Sequence, residues 1–217
     1  MTFLDTLRAT NALAVFGDSI TVGLNASAPR LAWPLRLARS AGISRLDNHA
    51  ISGTILQGGL MADGEPRPDN GIGRYRVALL GSDRCDAVAI LYGYNDARYT
   101  GAPDSLNSES FRRDYAAVIT GLLEAGFAPA RIAVGSPPFP SDRGFAVGST
   151  GFTGQSRAGF ERYVAAVRLV AEEFGLPYAA VYEAMAACPH GSLSSPDVTH
   201  PNDDGHRVIA MAFADAV

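Results

Sequence analysis

The chain has 217 residues, of which 47% are hydrophobic and 18% charged, and its formal net charge is −4. This balance excludes a mainly disordered chain, and nucleic-acid binding is disfavoured because such proteins are usually strongly basic. All 18 basic residues are arginine, which excludes chemistry that needs a lysine, such as Schiff-base formation, pyridoxal-phosphate anchoring or a P-loop. The length predicts a single domain over residues 1–217.

The N-terminal segment lacks the features of a secretory signal, because no basic region, apolar core and cleavage site follow one another there. No apolar run reaches roughly 18 residues, the length that indicates a transmembrane helix. We therefore expect no membrane span and a cytoplasmic location, unless a signal was removed before this chain begins. The sequence carries no signature of an oligomeric state.

Short apolar segments alternate with segments of helical periodicity along the whole chain. The apolar segments predict strands at residues 11–16, 45–50, 86–92, 131–135 and 177–182. The periodic segments predict helices at residues 31–41, 111–122, 160–174 and 208–213. This alternation predicts a three-layer α/β/α sandwich of the flavodoxin-like type with about five parallel strands.

Two of the predicted loops are long, at residues 54–73 and 136–155. Each follows a predicted strand and therefore lies at the carboxyl edge of the sheet, where open α/β sheets bind their ligands. We expect these loops to shape a binding site, although their sequences do not identify the ligand. Five aromatic residues near them fit either a pocket wall or ordinary loop packing: Tyr94, Tyr99, Phe139, Phe145 and Phe152.

Two motifs could supply a nucleophile and its base. The first predicted strand leads into the sequence G-D-S-I-T, which places Ser19 at the carboxyl edge of the sheet. Near the C-terminus, Asp197 precedes His200 by three residues, a spacing that lets the carboxylate reach one ring nitrogen while the other faces outward. Each motif taken singly is also consistent with an ordinary turn.

Two further motifs could supply hydrogen-bond donors to a negatively charged oxygen. One runs from Asn48 to Gly53 after the second predicted strand, and the other is G-Y-N-D, which contains Asn95 and follows the third. A glycine can bring its backbone N–H close to a substrate oxygen because it has no Cβ. An asparagine amide is a neutral donor suited to an oxyanion.

Taken in order, the four motifs resemble the four sequence blocks of the SGNH hydrolases, also called GDSL esterases. The first, third and fourth blocks appear as G-D-S-I-T, G-x-N-D and D-x-x-H-P. The second block keeps Asn48 and Gly53 but has Ala50 where many relatives have glycine. The resemblance spans residues 17–206. The G-x-S-x-G elbow of ordinary α/β-hydrolases does not occur in the sequence.

The resemblance implies a role for each matched residue. Ser19 would be the nucleophile, His200 its general base and then general acid, and Asp197 the residue that orients His200. The oxyanion hole would consist of the backbone N–H groups of Ser19 and Gly53 and the side-chain amide of Asn95. The family uses no metal and no organic cofactor. The implied substrate is a small-molecule ester, and short acyl groups such as acetyl are expected because the sequence shows no lid or apolar channel.

Two alternatives to ester hydrolysis remain open at this point. An acyltransferase would use the same three residues but pass the acyl group to an acceptor other than water. A non-catalytic flavodoxin-like binding module would use the motif residues only to shape turns. Within the catalytic interpretation, Asp18 or Asp96 could replace Asp197 as the acid, but we expect both to bind their own turns.

The remaining polar candidates have weaker patterns. Arg98 and Arg143 could contact an acidic substrate, but we expect both to be solvated. The spacing of the other histidines fits no usual pattern of metal ligands, so we expect surface or structural positions for His49, His190 and His206.

Overall fold

The computed structural model describes residues 1–189 and 193–217. Its sheet has five strands in the order β2-β1-β3-β4-β5, and every neighbouring pair is parallel. The strands are β1 (Ala12–Gly17), β2 (Arg45–Asn48), β3 (Ala87–Leu91), β4 (Ile132–Gly135) and β5 (Tyr178–Ala179). This strand order is that of flavodoxin-like folds. Every residue of β1, β3 and β4 is buried, as expected for a sheet covered on both faces.

Helices cover both faces of the sheet, so the predicted three-layer α/β/α sandwich is confirmed. They are α1 (Phe3–Leu7), α2 (Ser19–Val22), α3 (Trp33–Ala41), α4 (Gly71–Leu79), α5 (Tyr94–Arg98), α6 (Ser108–Glu124), α7 (Arg157–Phe174), α8 (Val181–Ala186) and α9 (Asp203–Ala214), with 3-10 turns at Pro29–Leu31 and Pro129–Arg131. Helices α1, α3, α8 and α9 pack together in one group, and α4, α5, α6 and α7 in another. In the described part of the chain, no helix has the length and apolar character needed to cross a bilayer.

The long helices begin and end at residues whose side chains or backbone suit helix termini. The side chain of Asn107 caps α6 and that of Ser156 caps α7. Helix α7 ends at Gly175, whose φ of +62° is a left-handed conformation that glycine adopts without strain. Asn202 caps α9 by accepting from the N–H groups of Asp204 and Gly205 at 3.0 Å. The periodic apolar residues predicted in α6 and α7 form their buried faces.

The predicted fifth strand is mostly wrong, because β5 has only two residues and α8 begins at Val181. Ser136 stabilises this helix start, since its Oγ accepts from the backbone N–H of Tyr182 at 2.9 Å. A short apolar run cannot be assigned to a strand or a helix from its periodicity alone. The predicted loop 54–73 likewise ends early, because Asn70 caps α4 through the N–H of Gly73.

Aromatic packing joins α3 to α9, and α9 lies against β4. The rings of Trp33 and Phe213 stack with centroids 4.7 Å apart. Gly135 lets the strand approach them, since a Cβ at that position would lie 2.7 Å from the Phe213 ring. Because α9 is fixed in this way, the segment that precedes it is held at the carboxyl edge of the sheet.

Candidate active site

Ser19 stands where β1 ends and α2 begins. Asp18 caps α2, with Oδ1 accepting from the N–H of Ile20 at 2.9 Å, and Ser19 is 8% exposed. Gly17 has no room for a side chain, because a Cβ there would lie 2.2 Å from Thr21 Oγ1 and 2.6 Å from the Leu91 carbonyl oxygen. The tight turn from strand to helix therefore presents the Ser19 side chain at the carboxyl edge of the sheet.

Ser19, His200 and Asp197 form a continuous chain of contacts. Ser19 Oγ lies 2.9 Å from His200 Nε2, and His200 Nδ1 lies 2.7 Å from Asp197 Oδ2. An ionised carboxylate only accepts hydrogen bonds, so in the neutral imidazole Nδ1 carries the proton and Nε2 is free to accept from the serine hydroxyl. This is the relationship that an activated serine needs with its base and with the group that orients the base.

Hydrogen bonds hold Asp197 in its ionised form. Its Oδ1 accepts from the backbone N–H groups of Thr199 at 3.0 Å and His200 at 2.9 Å. Burial by itself would raise the pKa of Asp197, but the hydrogen bonds from His200 and Thr199 outweigh it and lower the pKa to about 2. The carboxylate is therefore charged at neutral pH and stabilises positive charge on His200.

The sequence patterns did not identify Asn25, which also contacts Asp197. Its Nδ2 donates to Asp197 Oδ2 at 2.7 Å across 172 positions of the chain. Asn25 has a φ of +64°, a left-handed conformation that asparagine tolerates better than most residues. Nothing in the sequence around Asn25 separates it from any other asparagine in a turn.

The three donors expected for an oxyanion hole lie on neighbouring segments of the sheet edge. The N–H of Ile51 donates to the carbonyl of Gly17 at 3.1 Å, which holds the segment before Gly53 beside the end of β1. Asn95 Nδ2 donates to the carbonyl of Thr54 at 3.0 Å and has a second hydrogen to offer. Within residues 1–189 and 193–217, the backbone N–H groups of Ser19 and Gly53 donate to no protein acceptor.

Asn48 and Gly53, the two matched residues of the second block, differ in what they contribute to the loop after β2. The amide of Asn48 donates from Nδ2 to the carbonyl of Thr21 at 2.9 Å, and its Oδ1 accepts from the N–H of Ala50 at 3.0 Å. Asn48 therefore ties its loop to α2. Gly53 has a φ of +78°, so the turn requires a conformation that favours glycine.

Arg74, in α4, is a second residue that the sequence patterns did not identify. Its guanidinium donates to the carbonyls of His49 at 2.6 Å and Gly17 at 3.3 Å and to the Tyr92 hydroxyl at 2.6 Å. The Tyr92 oxygen in turn lies 3.0 Å from Thr54 Oγ1. One side chain thus connects the segments that precede Ser19 and Gly53 with the end of β3.

The two alternative acids are buried, and the ring nitrogens of His200 contact Asp197 and Ser19 instead. Asp18 binds its own turn, as expected. Asp96 does not, because its carboxylate accepts from the backbone N–H groups of Leu56 and Gln57 at 3.0–3.1 Å and so holds the 54–73 loop. The expectation for Asp96 was wrong because its partner loop is distant in sequence. Burial raises the pKa of Asp18 to about 7 and that of Asp96 to about 6.

The aromatic residues near the long loops divide into two sets. Tyr94, Phe139 and Phe145 are buried among other aromatic rings and serve packing. Tyr99 and Phe152 are half-buried, with ring centroids 5.4 Å apart.

The remaining candidates have these positions. Arg98 is half-buried rather than solvated, and its Nη2 donates to the carbonyl of Gly148, whereas Arg143 is exposed as expected.

His49 is half-buried, and His206 is completely buried with Nε2 3.0 Å from the Leu24 carbonyl oxygen. His190 lies outside the described residues. Among the described residues, no group of three or more His, Cys, Asp or Glu side chains could hold a metal ion.

A flavodoxin-like sheet with serine, histidine and aspartate in contact at its carboxyl edge is typical of a serine hydrolase. The chain matches the model of the GDSL-like lipase/acylhydrolase family over residues 15–208. It therefore belongs to that family and is an enzyme of the hydrolase class. The sequence has no significant match among curated proteins.

Solved structures of similar proteins have the same fold. A lipase/acylhydrolase from Enterococcus faecalis is 20% identical with a TM-score of 0.69, over 94% of this chain and 93% of that one. An α/β-hydrolase enzyme from the metagenome of Lake Arreo is 21% identical with a TM-score of 0.66, over 94% and 93%. The psychrotrophic esterase EstA from Pseudoalteromonas sp. is 15% identical with a TM-score of 0.61, over 95% and 96%.

Proposed function

We propose that the protein is a serine carboxylic-ester hydrolase that forms an acyl-enzyme intermediate on Ser19 and prefers small or short-acyl esters. The contact of Ser19 Oγ with His200 Nε2 at 2.9 Å, continued to Asp197 at 2.7 Å, carries this proposal. Membership of the lipase/acylhydrolase family supports it.

In the acylation step, Ser19 Oγ attacks the ester carbonyl carbon while its proton passes to His200 Nε2. The carbonyl oxygen becomes an oxyanion, which accepts from the N–H groups of Ser19 and Gly53 and from Asn95 Nδ2. Losing one such donor typically costs ~10²–10³ in rate. The bond to the leaving oxygen then breaks, His200 Nε2 returns its proton to that oxygen, and the alcohol departs from the acyl-serine.

In the deacylation step, His200 takes a proton from water, whose oxygen attacks the acyl carbonyl. The same donors hold the second oxyanion, and the acid departs when His200 protonates Ser19 Oγ. Asp197 keeps its charge throughout and stabilises the imidazolium that forms in each half-reaction.

The expectation of a short acyl group has a structural basis. A cavity of about 220 Å³ is lined by residues of the 54–73 loop and by Asp96, the residue that follows Asn95. Its lining includes the polar side chains of Gln57, Asp96 and Tyr99. Such a small polar space suits a short or polar group better than a long alkyl chain.

The test is hydrolysis of p-nitrophenyl esters from acetate to octanoate by the wild type, by Ser19→Ala and by Ser40→Ala. Ser40 is the matched control because it is an exposed serine on α3 whose Oγ donates only to the carbonyl of Arg36. We expect rates that fall with chain length, a loss of ~10⁴-fold or more in Ser19→Ala, and no change in Ser40→Ala. Equal rates for the wild type and Ser19→Ala would overturn the proposal.

Two further readouts locate the covalent intermediate and its acceptor. The solved structure of EstA shows the enzyme inhibited by monoethylphosphonate. Ser19 Oγ here should attack the phosphorus of a reactive phosphonate ester and expel its leaving group, so that Ser19 gains the mass of the phosphonyl group. The adduct should be absent from Ser19→Ala. Added alcohol should not yield a new ester faster than water yields the acid, whereas predominant formation of a new ester would identify an acyltransferase instead.

A further inference from the structure

The two long loops meet at Tyr99, the residue that directly follows α5. Arg67, from the 54–73 loop, lies over the Tyr99 ring, with its guanidinium carbon 3.8 Å from the centroid and 5.0 Å from that of Phe152. Phe152 belongs to the 136–155 loop. Arg67 is therefore held by both loops at once.

Tyr99 borders two of the proposed oxyanion donors. Its backbone N–H donates to the carbonyl of Asn95 at 3.0 Å, so it stands one helical turn after that amide. Its hydroxyl would lie 3.9 Å from a Cβ placed on Gly53. A substrate group that extends from the oxyanion hole past Gly53 towards Tyr99 would therefore meet Tyr99 first and then Arg67.

The guanidinium groups of Arg67 and Arg98 lack ion-pair partners among the described residues. In the described part of the chain, neither Arg67 nor Arg98 forms an ion pair with a carboxylate, and the buried Nε of each has no hydrogen-bond acceptor. The guanidinium carbon of Arg98 lies 5.9 Å from the Tyr99 centroid. Burial lowers the pKa of Arg67, which means that its charge is incompletely compensated.

Among the arginines that lie over aromatic rings in the described part of the chain, Arg157 and Arg168 have carboxylate partners, whereas Arg74, Arg76 and Arg84 form no ion pair, like Arg67. Arg157 lies over Phe139 and pairs with Glu161 at 3.0 Å, and Arg168 lies over Tyr178 and pairs with Glu183. Arg67 differs from these arginines in its position, because it lies over Tyr99, whose hydroxyl would be 3.9 Å from a Cβ placed on Gly53.

Arg67 also lines the cavity of about 220 Å³ under the 54–73 loop. Arg67, Tyr99 and Asn107 belong to its lining, and Asp96 is the one carboxylate among the lining residues. Both oxygens of Asp96 already accept from backbone N–H groups of the 54–73 loop. Asp96 therefore offsets one of the two positive charges without binding either guanidinium directly.

We infer that Arg67, with Arg98 beside it, forms an anion subsite next to the oxyanion hole, and that the ester substrate carries a carboxylate close to its scissile carbonyl. This inference rests on the proposed function. A guanidinium suits a carboxylate because its N–H groups can donate two parallel charge-assisted hydrogen bonds. The carboxylate can belong to the acyl part or to the alcohol part of the ester, and the experiment separates these sources.

The experiment compares esters that differ only in charge. Monoethyl succinate is paired with ethyl succinamate for the acyl side, and acetoxyacetate is paired with acetoxyacetamide for the alcohol side. The kcat/KM ratio of each pair is measured for the wild type, Arg67→Gln, Arg98→Gln and Arg76→Gln. Arg76 is the matched control because it is exposed on α4 and also lies over a tyrosine, 5.1 Å from the Tyr75 centroid.

We expect Arg67→Gln to lower the charged-to-neutral ratio of one pair by ~10- to 100-fold, the range that a charge-assisted hydrogen bond typically contributes. Arg98→Gln should lower the same ratio less, and Arg76→Gln should leave it unchanged. The pair that responds identifies the side of the ester that carries the carboxylate. A ratio that Arg67→Gln does not change, or equal losses on charged and neutral esters, would overturn the inference and reduce Arg67 to a packing residue.

A binding measurement separates failure of the subsite from failure of the proposed function. Calorimetry on Ser19→Ala should show tighter binding of the charged member of the responsive pair than of its neutral partner, and Ser19→Ala/Arg67→Gln should lose that difference. Equal binding of charged and neutral esters would overturn the anion subsite even if Ser19-dependent hydrolysis of p-nitrophenyl acetate is intact. Absence of all Ser19-dependent hydrolysis would overturn the proposed function, while the binding difference would still decide whether the subsite exists.

Discussion

Asn25 Nδ2 donates to Asp197 Oδ2 at 2.7 Å, and that oxygen is also the one that lies 2.7 Å from His200 Nδ1. One carboxylate oxygen thus joins the loop after α2 to the imidazole, while the other oxygen binds the backbone of its own turn. Asn25 fixes the direction from which the carboxylate meets the ring. In the proposed mechanism it is a positioning residue, because it contacts neither the substrate nor Ser19.

We predict that Asp197→Asn lowers kcat by ~10⁴-fold, because an amide neither favours the required tautomer nor stabilises the imidazolium. Asn25→Gly should lower kcat by ~10- to 100-fold, the loss expected for one hydrogen bond to a charged group. Glycine is the suitable replacement since it adopts the positive φ of residue 25 without strain. Steady-state kinetics of both variants on a short-acyl ester make the measurement, and an unchanged kcat in Asn25→Gly would contradict the positioning role.

Gly53→Ala should lower kcat by ~10²-fold or more, because alanine disfavours a φ of +78° and the turn would move the N–H that we propose as an oxyanion donor. Gly42→Ala is the matched control: Gly42 has a φ of +73°, ends α3 and has open space around its Cα. Both variants should lose ~1–2 kcal/mol of unfolding free energy, measured by denaturant titration. An equal loss of activity in the two variants would assign the effect to stability alone.

Arg74→Gln should lower kcat by ~10-fold with little change in KM, since small displacements of catalytic groups reduce the rate strongly. Glutamine cannot reach the Gly17 and His49 carbonyls and the Tyr92 hydroxyl together, so the segments leading to Ser19 and Gly53 lose a common anchor. Arg76→Gln, two positions along the same helix and exposed, should leave kcat unchanged. A rise in KM with an unchanged kcat would show instead that Arg74 acts on substrate binding.

We predict that the buried carboxyl group of Asp96 makes the free energy of unfolding depend on pH. Burial raises its pKa in the folded protein from 3.8 to about 6, so the folded state binds the proton more tightly than the unfolded state. The resulting stabilisation is fully present below pH 3.8 and is lost as the pH rises through about 6. Between pH 4 and pH 7, the wild type should therefore lose unfolding free energy relative to Asp96→Asn, whose side chain does not titrate.

The control for this measurement is Asp63→Asn, which changes an exposed carboxylate in the same loop. The pH dependence of its difference from the wild type is compared with that of Asp96→Asn. If the two variants behave alike between pH 4 and pH 7, burial does not raise the pKa of Asp96.

Local patterns in the sequence were sufficient to predict the sheet, its long helices and the family. The buried strands are continuous apolar runs, and α6 and α7 repeat apolar residues with helical spacing, so each signal lies within a few consecutive residues. The motifs of Ser19, Gly53 and Asn95 follow predicted strands, and parallel strands place their carboxyl ends at one edge. The resemblance to the four SGNH blocks added Asp197 and His200 to this group before any distance was known.

Only the tertiary structure decided how distant segments meet at that edge. Asn25 reaches Asp197, Arg74 joins three segments, and Asp96 holds the 54–73 loop, but none of these contacts lies within a local sequence window. The shortness of β5 also depends on a distant contact. The hydrogen bond from the Tyr182 N–H to Ser136 Oγ stabilises the start of α8 within the apolar run that was predicted as a strand. Arg67 and Tyr99 lie 32 positions apart and meet because two loops fold over one helix end. Periodicity and motifs indicate local secondary structure and the order of the sequence blocks. Contacts between loops depend instead on how helices and loops pack over the whole sheet.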